Sequence, residues 1–156
     1  MEYEQLKLEN QLCFPFYAVS RLIIRAYQED LDALGITYTQ YLVMLVLWEN
    51  DGKTVNEIAE KLILNTNTIT PLLKRMEVME LILRTPSKTD QRKVQVTLTS
   101  KGKAMEESAS HIPFRLMQKL NIEPSAAQLE EAIHLRNKLN DLNKLLKNTK
   151  KINTYD

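Results

Sequence analysis

A mainly α-helical fold with a small β-wing is predicted by three observations. Glycine is rare, at 3 of 156 residues, and only two short stretches alternate like strands. Apolar residues recur at helical spacing over most of the chain. Residues 54–102 run from a short amphipathic helix, through a second one, into a basic hairpin, which is the order of a winged helix-turn-helix. By size, residues 1–156 form one domain with room for a proper core.

Asn10 is the expected cap of the first helix, in which Leu12, Phe16, Val19, Ile23 and Ala26 are spaced alternately by four and three. That seam suits packing against another helix. The helix should stop near Leu34-Gly35, where glycine supplies a left-handed residue. Thr37 or Thr39 then caps a second helix through Tyr41, Leu45 and Trp48, and Asn50-Asp51-Gly52 is a turn. Thr54, with Glu57 three residues on, makes a capping box for a helix that buries Val55, Ile58, Ala59 and Leu62. Leu64 to Thr68 is read as the connection to the next helix, which buries Ile69, Leu72, Leu73 and Met76.

Pro71 is nearly harmless if that helix is capped by Thr68, and bends it if the cap is Asn65. Leu81 to Arg84 and Val94 to Leu98 read as two strands, with Pro86 to Lys93 as the polar tip of the wing. Thr99 caps a helix toward Phe114. A last helix, Ser125 to Asn148, repeats Leu129, Ala132, Leu135, Leu139, Leu142 and Leu146. Residues 37–102 form the winged-helix region, and 8–34 with 103–148 a helical dimerisation region. The apolar seams of those flanking helices exceed what one monomer needs, so a homodimer is expected.

The net charge is only +1, but it is segregated. Residues 1–52 hold 3 basic and 8 acidic side chains, 53–103 hold 10 and 5, and 104–156 hold 8 and 7. A basic middle block is the footprint of a localised nucleic-acid face. No apolar run reaches membrane-spanning length and no secretory signal is apparent, so no membrane partner is expected and the cytoplasm is the default compartment. A single cysteine cannot build an intrachain disulfide. The two histidines, His111 and His134, are too few and too far apart for a metal site, and nothing calls for a cofactor.

Double-stranded DNA, read as a pseudo-palindromic operator, is the expected ligand. Thr66, Asn67, Thr68 and Thr70 are the base-edge candidates, since asparagine can read adenine with two hydrogen bonds and threonine methyls can touch thymine. Pro71 lies among them, and Lys74 and Arg75 would hold phosphates. At the wing, Lys88 adds charge, and Arg92 is the minor-groove candidate, oriented by Asp90. The bland alternative is a solvated helix beside a solvated hairpin. The helix pair, the basic hairpin and the charge segregation together outweigh it.

Thr68-Ile69-Thr70-Pro71-Leu72-Leu73-Lys74-Arg75-Met76-Glu77, then Asp90-Gln91-Arg92, then Leu98-Thr99-Ser100-Lys101-Gly102, resemble the MarR family of dimeric winged-helix regulators over nearly the whole chain. Leu8 to Phe14, with Tyr17, Tyr27 and Thr37-Tyr38-Thr39-Gln40-Tyr41, looks like the organic-hydroperoxide-sensing repressors within it and like the staphylococcal one-cysteine regulators. That subgroup usually carries glycine where Asn67 stands, so the resemblance implies that this chain adds a side chain at the DNA surface.

The only cysteine, Cys13, falls about one turn into the first helix, where free amides and the helix dipole favour a thiolate. A thiolate reacts with peroxide to a sulfenic acid, which condenses with a thiol. The resemblance implies that Tyr27 and Tyr38 of a partner subunit hydrogen-bond the sulfur, and that oxidation breaks those bonds and releases DNA. Tyr17, four residues after Cys13, is a weaker candidate.

The ordinary alternative for Cys13 is a buried core residue. Oxidation must end in a mixed disulfide with a low-molecular-weight thiol, a Cys13–Cys13 bond between chains, or a higher oxide. The expected function is therefore a repressor answering organic hydroperoxide, and not an enzyme. One alternative is a regulator of the same fold answering a small phenolic or apolar ligand. The other is a thiol peroxidase using Cys13, which lacks a resolving cysteine and an adjacent cation, since Arg21 and Arg25 lie two and three turns away.

Overall fold

The computed structural model describes residues 3–87, 90–121 and 125–148, which divide between two compact units, 1–116 and 117–156. In the first unit come α1 (Cys13–Leu34), α2 (Tyr38–Glu49), β1 (Lys53–Thr54), α3 (Val55–Leu62), α4 (Thr66–Val78), β2 (Ile82–Pro86), β3 (Val94–Leu98) and α5 (Ser100–Ala109). Helix α6 (Ile112–Lys119) spans the boundary, and α7 (Ala126–Asn148) lies in the second unit. No single helix among the described residues is long and apolar enough to cross a membrane.

Local chemistry accounts for most of the boundaries. Thr37 and Thr54 each close a capping box, with Gln40 and Glu57 respectively. Thr99 accepts the Gly102 amide at the start of α5. Helix α1 ends at Gly35, whose φ of +69° lets Ile36 N–H reach back to the Leu31 carbonyl at 3.1 Å. In the second unit Ser125 and Gln128 cap α7 reciprocally, each contact at 3.2 Å.

Four expectations are corrected. Asn10 does not cap α1. It ends one of two short 3-10 turns, its side-chain amide donating to the Glu4 carbonyl at 2.7 Å, and Leu12 precedes the helix without a side-chain cap. Cys13 is therefore the first residue of α1 rather than one turn inside it.

The connection between α3 and α4 is shorter than read, because Asn65 Oδ1 accepts the Thr68 amide at 2.8 Å and α4 starts at Thr66. Pro71 is thus its sixth residue, beyond the first turn, and supplies no amide for the Asn67 carbonyl. Such a loss costs ~3 kcal/mol in an ordinary helix interior, yet α4 continues to Val78.

The sheet has three strands rather than two, in the order β1-β3-β2, all antiparallel. Lys53 pairs with Val96, and Ile82 to Pro86 pair in register with Leu98 to Val94. Finally, the helix after Thr99 stops at Ala109, and α6 is separate.

The core lies where α2, α3, α4 and the sheet meet. Met44, Leu47, Ile58, Ile69, Leu73, Met76, Leu81, Ile82 and Val96 are all fully buried. Trp48 crosses to α5, its indole N–H donating to the Gly102 carbonyl at 2.9 Å. Asp30, buried in α1, pairs with Arg115 at 3.1 Å.

Candidate nucleic-acid interface and thiol site

Helix α4 buries Ile69, Leu72, Leu73 and Met76, and this decides which side chains face outward. Thr66, Asn67, Thr68, Pro71, Lys74 and Arg75 are exposed, and Thr70 is half-buried. Thr70 Oγ1 donates to the Thr66 carbonyl at 2.7 Å, so its hydroxyl hydrogen is committed to the backbone. Thr66, Thr70, Lys74 and Glu77 follow one another at four, four and three residues, which places them on one stripe. Arg75 lines a different cleft, beside Gln40, Val78 and Met79, which Lys74 also borders.

The wing lies across from that stripe. Asp90 Oδ1 accepts the Arg92 backbone amide at 3.1 Å, so Asp90 fixes the Arg92 main chain. Lys93 N–H donates to the Asp90 carbonyl at 2.9 Å and Ser87 N–H to the Lys93 carbonyl at 2.8 Å. Lys88 lies outside the described residues.

A cleft of about 220 Å³ separates α4 from the wing. Thr66 and Thr70 line one wall, Arg84, Arg92, Lys93 and Val94 another, and Thr54, Val55 and Asn56 close it from the start of α3. Thus the cleft brings Thr66, Thr70 and Arg92 together with Lys93 of the wing tip, and Asn56 and Arg84 join them unannounced. The pairing of β1 with β3 brings the start of α3 against the wing, and a two-residue strand leaves no periodic trace in the sequence.

Arg84 does not stand alone in the cleft. Its Nε and Nη2 donate to Glu77 Oε2 at 2.9 and 2.8 Å, and its backbone amide donates to Oε1 at 3.0 Å. The Arg84 guanidinium holds the Glu77 carboxyl below the usual carboxylate range. At α3, the Thr54 hydroxyl and then its amide do the same for Glu57.

Cys13 is exposed at the first turn of α1. Tyr17, one turn on, carries the Arg21 guanidinium 5.6 Å from its ring centre and has Phe14 at 6.5 Å. Tyr27 and Tyr38 sit together elsewhere, ring centres 5.3 Å apart, with Tyr41 at 5.9 and 6.5 Å and Trp48 beyond it. Burial pushes all three phenols up, and for Tyr27 and Tyr41 the neighbouring tyrosines add to the effect.

Along one helix, the fourteen residues from Cys13 to Tyr27 span about 21 Å. The thiol and the tyrosine pair are therefore separate within one chain. Among the described residues no group of three or more His, Cys, Asp or Glu side chains could hold a metal ion.

Residues 25–108 match the family model described as transcriptional regulator SarA/Rot. The chain is 47% identical over 116 residues to the organic hydroperoxide resistance transcriptional regulator of Bacillus subtilis, covering 74% of this chain and 79% of that one. It is 37% identical over 123 residues to the HTH-type transcriptional regulator SarZ of Staphylococcus aureus strain USA300, covering 78% and 82%. The structure of reduced AbfR bound to DNA, a protein of Staphylococcus epidermidis, superposes with a TM-score of 0.75 at 37% identity, covering 94% of this chain and 99% of that one. With helices and wing in this order, the chain belongs to the SarA/Rot family of transcriptional regulators and carries the MarR-type winged-helix fold.

Proposed function

We propose that this regulator is a homodimeric DNA-binding repressor of the cytoplasm that releases its operator when organic hydroperoxide oxidises Cys13. The observation that carries the DNA reading is the cleft in which Thr66 and Thr70 of α4 face Arg92 and Lys93 of the wing. In this reading Thr66, Asn67, Thr68 and Thr70 approach base edges, with Pro71 among them. Lys74, Arg75 and Lys93 meet phosphates, and Arg92, its backbone held by Asp90, enters the minor groove. Lys88 adds charge to the wing. Residues 37–102 read DNA, while 8–34 and 103–148 hold the two copies together.

The redox reading rests on the exposed thiol of Cys13 and on the printed names of relatives, one a hydroperoxide-resistance regulator and one solved in a reduced, DNA-bound form. The thiolate sulfur attacks one peroxide oxygen, the O–O bond breaks, and sulfenic acid and alkoxide result. Condensation with a low-molecular-weight thiol then gives a mixed disulfide and water. Because Cys13 and Tyr27 stand about 21 Å apart on one helix, any contact between the thiol and the Tyr27–Tyr38 pair comes from a second copy. The peroxide is a stoichiometric signal here and not a turned-over substrate, so the protein is not an enzyme.

A second reading, a regulator answering a small phenolic or apolar ligand, is favoured by a cleft of about 520 Å³ at the α1–α2 corner, lined by Ile24, Gln28, Asp32, Ile36 and Tyr38 among others. One titration separates the two. DNA release is followed on adding one equivalent of cumene hydroperoxide to wild type and to Cys13→Ser. Release by wild type with retention by the variant supports the thiol switch. Equal release by both removes Cys13 from the signal.

A further inference from the structure

The outward stripe of α4 reads Thr66, Thr70, Lys74, Glu77. The first three suit a DNA surface, whereas a carboxylate repels phosphate. Its partner explains its presence. Arg84 lines the same cleft as Arg92 and Lys93, yet Glu77 engages two of its guanidinium nitrogens and its backbone amide, all within 3.0 Å. The pair is sheltered, with 22% of the Arg84 side chain exposed and 33% of the Glu77 side chain. The carboxylate takes two of the five guanidinium donors and offsets the positive charge, which weakens the pull of Arg84 on a phosphate.

We propose that Glu77 is a specificity-determining residue that cancels Arg84 and so removes one cation from sequence-independent DNA binding. The inference rests on the DNA-binding reading above. Non-specific affinity is governed by how many cations can displace counterions from the phosphate backbone. Operator selection depends on the ratio of specific to non-specific binding. A cation silenced inside the cleft lowers the denominator of that ratio while leaving Arg92 and Lys93 at the wing to meet DNA. A purely structural clamp, fixing β2 to α4, has a different signature. Its loss loosens the head and weakens all DNA alike.

The test is Glu77→Gln, close to the same shape and without the charge, with Glu77→Ser as a second variant should glutamine disturb the packing. Binding is measured by fluorescence anisotropy against two duplexes of about 30 base pairs, room for two half-sites one helical turn apart. One is of random sequence, and the other is selected from a random pool on wild-type protein. With Arg84 freed, affinity for the random duplex should rise about three- to ten-fold at low salt, and its log–log salt slope should steepen by about 0.9. The ratio between the two duplexes should shrink. Glu77→Gln combined with Arg84→Met should restore the wild-type slope.

An unchanged slope, or equal losses on both duplexes, overturns the proposal and leaves a structural clamp. Wild-type protein that enriches no duplex from the pool overturns the DNA reading itself.

Discussion

In α1, twenty-two residues long, only Asp30 and Leu31 are buried, whereas six of the twelve residues of α2 are. Both helices are rich in apolar side chains. Those of α2 meet α3, α5 and β3 inside the same chain. Leu12, just before α1, and Phe16, Val19 and Ile23 within it remain 39–79% exposed. The winged-helix head is thus satisfied by its own sequence, while the first helix carries an apolar seam that one chain leaves open. Such a seam at coiled-coil spacing suits another helix, and in the proposed homodimer a second copy would supply it by symmetry.

The largest expected effect is on the head. A Cβ placed on Gly102 would stand 2.1 Å from the Leu81 carbonyl oxygen, a backbone atom that cannot swing aside. Gly102→Ala should therefore push α5 away from Leu81, just before β2, and loosen the Trp48 hydrogen bond to the Gly102 carbonyl. The expected loss is about 3 kcal/mol or more, read from urea unfolding of the whole protein. An unchanged midpoint would show that the α5 contact does not support the head.

Next in size is the seam. Phe16→Glu puts a charge on the exposed side of α1 and touches none of the buried core. Helix content by circular dichroism should persist while the light-scattering mass falls toward one chain of 18.1 kDa. The dimer dissociation constant should rise by about 100-fold or more, as for the loss of an interface anchor. A mass that stays at two chains would place the interface elsewhere.

Legibility follows the same division. The head's helices were readable because caps are local chemistry, and Thr37, Thr54 and Thr99 act where the sequence puts them. The start of α4 was ambiguous because Asn65, Thr66, Asn67 and Thr68 can all cap, and only packing selects Asn65. The break before α6 left one usable trace, Pro113 in its first turn. Of the proposed DNA face, the outward side of α4 follows from its apolar period. Arg84 and Asn56 did not, because only the sheet brings them to the cleft. A meeting of Cys13 with Tyr27 is illegible in one chain, since the helix itself keeps them apart.

A smaller effect concerns the turn between α3 and α4. Ile63 holds φ at +56° in the left-handed region, where a β-branched side chain is strained. The residue is 56% exposed, so little burial compensates. Glycine removes the strain but adds freedom to the unfolded chain, and the two effects partly cancel. Ile63→Gly should stabilise the head by about 0.5–1 kcal/mol. A loss of stability would mean that the isoleucine contacts outweigh the strain.

The smallest effect tests whether acid sensitivity belongs to the head. Arg84 holds Glu77 low, the Thr54 hydroxyl and amide hold Glu57 low, and a hydrogen bond from Lys61 does so for Glu49. A carboxyl whose folded pKa lies below its unfolded value, about 4.3 for glutamate, stabilises the fold fully above that value. The contribution is lost as pH falls through the folded pKa. All three groups are solvent-screened, so each contribution is small.

The melting temperature should therefore change little from pH 7 to roughly pH 5 and fall below that. Glu57→Gln removes one titrating carboxylate while its backbone amide still donates to the Thr54 hydroxyl oxygen, 3.3 Å away. Its melting temperature at neutral pH should drop slightly, and its decline in acid should be shallower than that of wild type. If both proteins decline in parallel, the capping carboxylate does not contribute to acid sensitivity, and other carboxylates must account for it.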